Sequence, residues 1–190
     1  MPLSIVIPVL NEGEALATTL DALSNLRALG VELIVVDGGS RDATVQRARM
    51  RANRVISAPR GRASQMNAGA ATASWDVVLF LRPGTRLPEA AEHIVINGLK
   101  RSGRAWGHFD VKVEGLPPRQ RLANWVKNFR SRMTGIATGD QAIFVKRDVF
   151  NQIGGYPADD GMEMEDVALS KRLKQVSRPL CLRERVVRRS

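Results

Sequence analysis

Short apolar runs rich in valine and isoleucine alternate with segments of helical periodicity, and this alternation restricts the fold more than any other feature of the sequence. Four such runs cover residues 4–9, 31–37, 53–58 and 76–81. Runs of this length and composition are typical of strands that are buried on both faces. Strands that are each followed by a helix pair in parallel through right-handed crossovers. The first half of the chain therefore predicts a Rossmann-like α/β fold, with a mostly parallel central sheet flanked by helices.

Helical periodicity is clearest between these runs. The first helix is marked on one face by Leu16, Leu20, Leu23 and Leu26. Asn11 and Glu14 have the spacing of a capping box, with asparagine in place of serine or threonine. The segment 61–73 opens with a glycine and repeats small apolar residues at helical spacing, and another helix is predicted over 89–101.

The second half of the chain is less regular. Strands are predicted over 106–115 and 141–147, and helices over 119–133 and 164–176. Pro117 and Pro118 are expected in a loop rather than at a domain boundary. Because 190 residues suit one domain with a full core, we expect a single domain over 1–190, in which a parallel half and a mixed half share one sheet.

The formal net charge of +10 points to an anionic partner. Nucleic acid is one candidate, but the arginines are scattered and aromatic residues make up only 5%, so stacking platforms are scarce. A nucleoside diphosphate, or loose attraction to an anionic membrane surface, fits the charge equally well. The basic tail RERVVRRS is expected to be a solvated end rather than a site.

The expected compartment is the cytoplasm, with peripheral contact at the inner membrane surface as an option. Cys181 is the only cysteine, so no disulfide within the chain is possible. The N-terminal apolar run has neither a preceding basic segment nor a small-residue cleavage site. The apolar run VVLFL is far too short to span a bilayer.

Polar residues collect where the predicted strands end. In open parallel sheets, ligands bind beyond the carboxyl ends of the strands. The residues expected at this edge are Asn11, Glu12, Asp37, Arg60, Arg62, Arg82 and Thr85. Each one alone is equally consistent with a solvated loop or a helix cap, so the prediction rests on their convergence.

Two of these residues suggest contacts with a nucleotide. Asp37 is placed to accept hydrogen bonds from a base or a ribose, or else to cap the next helix, although Ser40 lies closer to that helix start. Gly61 and Arg62 open a predicted helix, whose free N–H groups and dipole favour an anion. Arg62 would add a fixed positive charge, unless it is simply a surface arginine.

Three acidic residues cluster at the start of the last predicted helix: Glu163, Glu165 and Asp166. Acids at this position complement the helix dipole, which alone would account for them. The functional alternative is a general base that takes a proton from a substrate hydroxyl.

Several common enzyme signatures are missing from the sequence. It contains no GxGxxG, no P-loop and no GxSxG, which weakens the dehydrogenase, kinase and hydrolase interpretations. His93 and His108 have no partners at metal-ligand spacing and are expected to be structural.

Ordered motifs along nearly the whole chain resemble those of family 2 glycosyltransferases with the GT-A fold. The matching segments are SIVIPVLNE at the start, VVDGGSRD at 35–42 and MEDVALSKRL at 164–173. Two further segments, APRGRASQMNAGA (58–70) and TGIATGDQAIFVKR (134–147), are similar to a bacterial subgroup often labelled arsenosugar-biosynthesis glycosyltransferases.

This resemblance implies transfer of a sugar from a UDP- or GDP-sugar to an acceptor hydroxyl, usually with inversion. Residues 1–88 would bind the nucleotide and residues 89–190 would form the acceptor side. Asp166, in the Glu165–Asp166 pair, would be the catalytic base. The nucleotide-sugar site would comprise Pro8, Asn11, Glu12, Asp37, Arg62, Asn67, Arg82, Thr85 and Asp140.

The sequence departs from the family pattern at one place. After the fourth strand the family carries an acidic motif that binds Mg²⁺ or Mn²⁺, and the subgroup typically reads LHADT there. This chain reads LRPGT (81–85), with Gly84 in place of the aspartate. No metal ligand is therefore assigned, and Arg82 is the candidate to neutralise a departing diphosphate instead.

The sequence thus predicts a glycosyltransferase that acts by direct displacement. The first alternative is a degenerate relative that binds a nucleotide sugar without turning it over, which Gly84 favours. The second alternative is a nucleic-acid-binding module, which only the charge suggests.

Overall fold

Residues 3–157 and 164–189, which the computed structural model describes, form eight strands and eight helices. In chain order these are β1 (Leu3–Val9), α1 (Gly13–Ala22), α2 (Ser24–Ala28), β2 (Glu32–Asp37), α3 (Thr44–Arg49), β3 (Arg54–Ser57), α4 (Arg62–Thr72), β4 (Val77–Phe80), β5 (Thr85–Arg86), α5 (Ala91–Ser102), β6 (Trp106–Glu114), α6 (Pro118–Thr134), β7 (Phe144–Lys146), α7 (Arg147–Gln152), α8 (Glu165–Val176) and β8 (Leu180–Arg189).

The strands belong to one mixed sheet in the order β3-β2-β1-β4-β7-β6-β8-β5. β1 pairs in parallel with both β2 and β4, and β2 pairs in parallel with β3. β7 runs antiparallel to both β4 and β6, and β8 runs parallel to β6. The predicted combination of a parallel half and a mixed half is confirmed.

The apolar runs form a core on both faces of the sheet, because strand side chains alternate between faces. Leu3, Ile5 and Ile7 of β1 pack in one layer, which includes Leu16 and Leu20 of α1. Val6, on the other face, belongs to the layer that contains α4 and α8. Burial on both faces explains why these strands read as continuous apolar runs.

The predicted first helix is shorter than its leucine pattern suggested. α1 ends at Ala22, and Leu23 leads into the separate helix α2. The proposed capping box is wrong: α1 has no side-chain cap, and the Asn11 amide oxygen accepts the backbone N–H of Arg41 instead, at 2.8 Å. Asn11 has a φ of 53° and is held by a neighbouring loop, so it cannot cap the helix.

Two further expectations about the second half need correction. Pro118 is the first residue of α6 rather than part of a loop, since a proline at this position lacks only an N–H that has no helical partner. The basic tail is not a solvated end, because it forms β8, which lies between β6 and β5 in the sheet. The buried side chains of Leu182 and Val186 secure this strand despite its arginines.

No helix formed by residues 3–157 or 164–189 has the length and apolarity needed to cross a bilayer.

Candidate active site

A cleft opens where β1 and β4 end, at the sheet edge that the sequence singled out. It encloses about 280 Å³. Its lining comes from the end of β1, the start of α4, the loop after β4 and the end of β8: Pro8, Val9, Leu10, Glu12, Arg60, Gly61, Arg62, Gln65, Arg82, Pro83 and Arg188. The predicted residues Pro8, Glu12, Arg62 and Arg82 are thereby brought together.

Gln65 bridges two strand ends in the lining of this cleft, and the sequence analysis did not single it out. Its side-chain amide donates to the carbonyl oxygens of Val9, at 2.9 Å, and Val36, at 2.8 Å. Because these carbonyls lie at the ends of two neighbouring parallel strands, Gln65 fixes the spacing of the strand ends. The available sequence signal was a glutamine among the alanines and other small residues of this helix.

α4 points its N-terminus at the cleft. Gly61 precedes the helix with a φ of 139°, a conformation that L side chains rarely adopt, and this explains the glycine. The helix starts at Arg62 as predicted, and no side chain caps it. The unpaired N–H groups of its first turn add a positive potential to the cleft.

Four arginines line the cleft. Arg60, Arg62 and Arg82 come from the predicted edge, whereas Arg188 comes from β8, where it pairs in register with Thr85. Burial, followed by repulsion from Arg62, lowers the pKa of Arg82. The Nε atoms of Arg62 and Arg82 are buried and have no hydrogen-bond partner among the described residues. Guanidinium groups held together in this way without enough acceptors are suited to an anion with several oxygens.

Glu12 is the carboxylate of the cleft lining. The residue is exposed overall, yet desolvation raises the pKa of its carboxyl group, whereas the positive charges of Arg82, Arg188 and Arg62 act to lower that pKa. One carboxylate among four guanidiniums leaves the cleft with an excess of positive charge.

Asp166 does not line the cleft itself but lies behind Arg62, in the first turn of α8, where it is fully buried. Its carboxylate accepts from Arg62 Nη2 at 3.2 Å and from the Tyr156 hydroxyl at 3.4 Å. The Glu165 carboxylate contacts Nη1, the second terminal nitrogen of the Arg62 guanidinium, at 3.5 Å. Gly139 packs so closely against Arg62 and Asp166 that an added Cβ would overlap both. Glu163 lies outside the described residues.

Asn67 supports this arrangement from behind rather than lining the cleft. Its side chain donates to the carbonyl oxygen of Tyr156 and accepts the Tyr156 N–H, both at 2.9 Å. The Tyr156 ring is buried, and burial followed by the charge of Asp166 raises the pKa of its hydroxyl well above the usual value. Tyr156 therefore stays protonated and donates to Asp166. It carried no recognisable sequence signal.

Asn11 and Asp37 build the loop beside the cleft. The Asp37 carboxylate accepts the backbone N–H groups of Gly39 and Ser40, each at 3.0 Å. Ser40 in turn accepts the Asn11 N–H through its hydroxyl, at 2.9 Å. Ser40 lies closer than Asp37 to the next helix in sequence, but α3 begins only at Thr44, so Ser40 does not cap it.

Asp140 and Thr85 lie apart from this cleft lining. Asp140 forms an ion pair with Lys127 of α6 and accepts the Thr138 hydroxyl at 2.7 Å. Although burial acts to raise it, these contacts hold the pKa of Asp140 below its ordinary value. Thr85 is buried on β5, and its hydroxyl has no partner among the described residues.

Two carboxylates near the cleft are already engaged by cationic side chains. Hard cations take carboxylate oxygens, but Asp166 is paired with Arg62 and Asp140 with Lys127. Gly84 occupies the position of the family aspartate with a φ of 77°, where a side chain would be strained. Residues 3–157 and 164–189 contain no group of three or more His, Cys, Asp or Glu side chains placed to hold a metal.

The sequence matches the Glycosyl transferase family 2 over residues 4–145, which is most of the chain. The protein therefore belongs to this family. No protein of curated function matches it significantly.

Solved structures with the GT-A fold resemble the whole chain. Staphylococcus aureus TarS 1-349 in complex with UDP-GlcNAc aligns with a TM-score of 0.79 at 16% identity, over 100% of this chain and 59% of TarS 1-349. The Pyrobaculum calidifontis mannosyltransferase PcManGT, in complex with GDP-Man and Mn²⁺, gives 0.71 at 18% identity, over 97% and 56%.

Glucosyl-3-phosphoglycerate synthase from Mycobacterium tuberculosis, in complex with Mn²⁺, UDP and glucosyl-3-phosphoglycerate, gives a TM-score of 0.67 at 21% identity. That alignment covers 100% of this chain and 72% of the synthase. The chain thus spans less than two thirds of the TarS structure, and these likenesses establish the fold.

Proposed function

We propose that this chain transfers a sugar from a UDP- or GDP-sugar to an acceptor hydroxyl, with inversion of configuration. The observation that carries the proposal is a cleft lined by four arginines and a helix N-terminus, in which one of the arginines, Arg62, pairs with the buried carboxylate of Asp166. Family membership supports glycosyl transfer. The UDP-GlcNAc complex of TarS and the GDP-Man complex of PcManGT support a nucleotide-sugar donor.

The arginines stabilise the leaving diphosphate. As the bond from the sugar to the diphosphate breaks, negative charge develops on the departing oxygens, and preorganised cations there lower the barrier. Arg82 and Arg188 place positive charge at the cleft. Arg82 would take the role of the metal cation that relatives bind. We therefore expect diphosphate binding to be independent of Mg²⁺ and Mn²⁺.

Asp166 serves as the base that takes the proton from the acceptor hydroxyl. Its carboxylate is engaged by Arg62, and the space that these two residues share with Gly139 and Tyr156 has no room for a water molecule. Because Arg62 also lines the cleft, a bound diphosphate competes for its guanidinium and draws it away from Asp166. Donor binding would then free the base and open the space that the acceptor hydroxyl enters.

The finer predictions are also part of this proposal. Pro8, Asn11 and Glu12 would line the nucleotide pocket, and Asp37 would hold the base. Thr85 would contact the nucleotide sugar, and Asp140 would act near the sugar or the acceptor. Membership of the arsenosugar-associated subgroup is also part of the proposal.

The alternative is a nucleotide-sugar-binding protein without turnover. The specific observation in its favour is the complete burial of Asp166 in its pair with Arg62. Both functions predict nucleotide binding, so only release of free nucleotide from the donor distinguishes them.

Thermal denaturation with UDP, GDP and their sugars, each with and without EDTA, tests the site. A ligand that binds the native state at a hundredfold excess over its Kd adds about 2.7 kcal/mol of stability. We expect one nucleotide series to raise Tm equally in both buffers, and R82Q to remove most of the effect. The matched control is R101Q, on the far end of α5. A Tm shift that disappears with EDTA would contradict the metal-independent site.

A further inference from the structure

Helix α6 carries a row of large apolar side chains that face solvent. Leu122, Trp125, Val126, Phe129 and Met133 are 48–72% exposed. Their spacing places them on one face about 100° wide. The rings of Trp125 and Phe129 stack with centroids 5.6 Å apart. We call these five residues the outer face of α6.

Polar contacts hold the helix in this orientation. Asn124 and Asn128 both donate to the carbonyl oxygen of Val111 on β6, and Asn128 also accepts the Val111 N–H at 3.0 Å. Ser131 donates to the side chain of Gln141 at 2.7 Å. The inner side of α6 is therefore polar and the outer side apolar, the reverse of a helix that packs on a core. Rotating the outer face inward would leave buried polar groups without partners, so the exposure is built into the fold.

Arginines border the outer face on both sides. Residues 118–134 include five basic side chains and no acidic one. At about 100° per residue, Arg119 and Arg130 flank one side of the face and Arg121 the other. All three are exposed.

We propose that the outer face of α6 docks the protein on an anionic lipid bilayer. Aromatic and aliphatic side chains flanked by arginines suit the boundary between headgroups and acyl chains, where the apolar side enters and the cations pair with phosphates. A second copy of the chain is disfavoured as the occupant. A twofold contact through this face would bring the same arginines of two molecules, each with a net charge of +10, against one another.

Co-sedimentation with vesicles tests this proposal. The parent should bind vesicles of phosphatidylglycerol and phosphatidylcholine, and bind pure phosphatidylcholine far less. W125Q/F129Q should weaken binding to the anionic vesicles by about tenfold or more, because two inserted rings are lost. R121Q/R130Q should weaken it by about fivefold per charge at low salt. The matched control, L29Q/M50Q, removes two apolar residues that lie outside α6 and are even more exposed, and it should bind like the parent.

Three results would overturn the proposal. The first is a parent that does not sediment with anionic vesicles. The second is equal loss of binding in L29Q/M50Q. The third is a parent that is dimeric by light scattering while W125Q/F129Q is monomeric, because a second copy would then cover the face. The proposal is independent of catalysis, and the Tm shift with nucleotide should be the same in all three double variants.

Discussion

At the scale of single residues, the pair between Arg62 and Asp166 is the central feature of the site. A structural acid that only complements the dipole of α8 would be interchangeable with its neighbour Glu165, since both lie in the first turn. They differ in burial and contacts: Asp166 is fully buried and bound by two donors, whereas Glu165 remains partly exposed at 16%.

We expect D166N to reduce transfer by about 10²–10⁴, the range typical for loss of a general base. Nucleotide affinity should be retained or increased, because Arg62 loses a competing carboxylate. E165Q is the matched control and should reduce transfer by less than about tenfold, since it weakens only the long contact with Arg62 Nη1 and the interaction with the helix dipole. Donor turnover and nucleotide titration measure the two quantities. Equal, modest losses in both variants would show that Asp166 is structural.

At the scale of elements, β8 places the positive charge of Arg188 at the cleft, which no local sequence motif predicted. Val186 of this strand is buried, whereas Arg183 and Arg185 are exposed. Arg188 lies at the end of this strand, opposite β5, and its position lines the cleft. The strand therefore acts as one wall of the candidate diphosphate site.

R188Q should lower affinity for the nucleoside diphosphate by roughly tenfold, as expected when one charge-assisted hydrogen bond worth about 1.5–3 kcal/mol is lost. R183Q, on the same strand but directed to solvent, should leave affinity unchanged. Calorimetric titration at constant salt measures both. Identical affinities for the parent and R188Q would place the diphosphate away from β8.

At the scale of the whole molecule, stability toward acid depends on Glu32, a carboxylate buried at the edge opposite the cleft. It accepts hydrogen bonds from Ser4, at 2.6 Å, and from the N–H of Ser74, at 2.8 Å, and pairs with Arg54 at 3.1 Å. Burial acts to raise the pKa of Glu32, but these donors hold it below 4.5. One side chain thus joins β1, β2, β3 and the loop before β4.

Because the folded-state pKa is lowered, Glu32 stabilises the fold fully above its unfolded value, which is near 4.5, and this contribution is lost as the pH falls through the folded value. E32Q should lower the free energy of unfolding by about 1.5–3 kcal/mol near neutral pH and flatten its decline in acid. E89Q, at an exposed position, is the control. Denaturant unfolding at several pH values measures these free energies. Parallel pH curves for the parent and E32Q would contradict the prediction.

The sequence by itself determined the parallel half of the sheet, because strands buried on both faces need continuous apolar runs and each run is short and bounded. It also determined that Glu12, Arg60, Arg62 and Arg82 would meet, since the carboxyl ends of parallel strands share one edge. These conclusions follow from local patterns and a strong topological rule.

Only the tertiary structure decided the rest, because those contacts join positions distant in sequence. It brought Arg188 from the far end of the chain to the cleft, set Tyr156 and Asn67 behind Asp166, and engaged Arg62 with that carboxylate. It also turned the apolar face of α6 outward, through side-chain contacts to β6 that no helical periodicity encodes. Periodicity shows that a helix has an apolar face, but the partners of its polar face decide which way that face points.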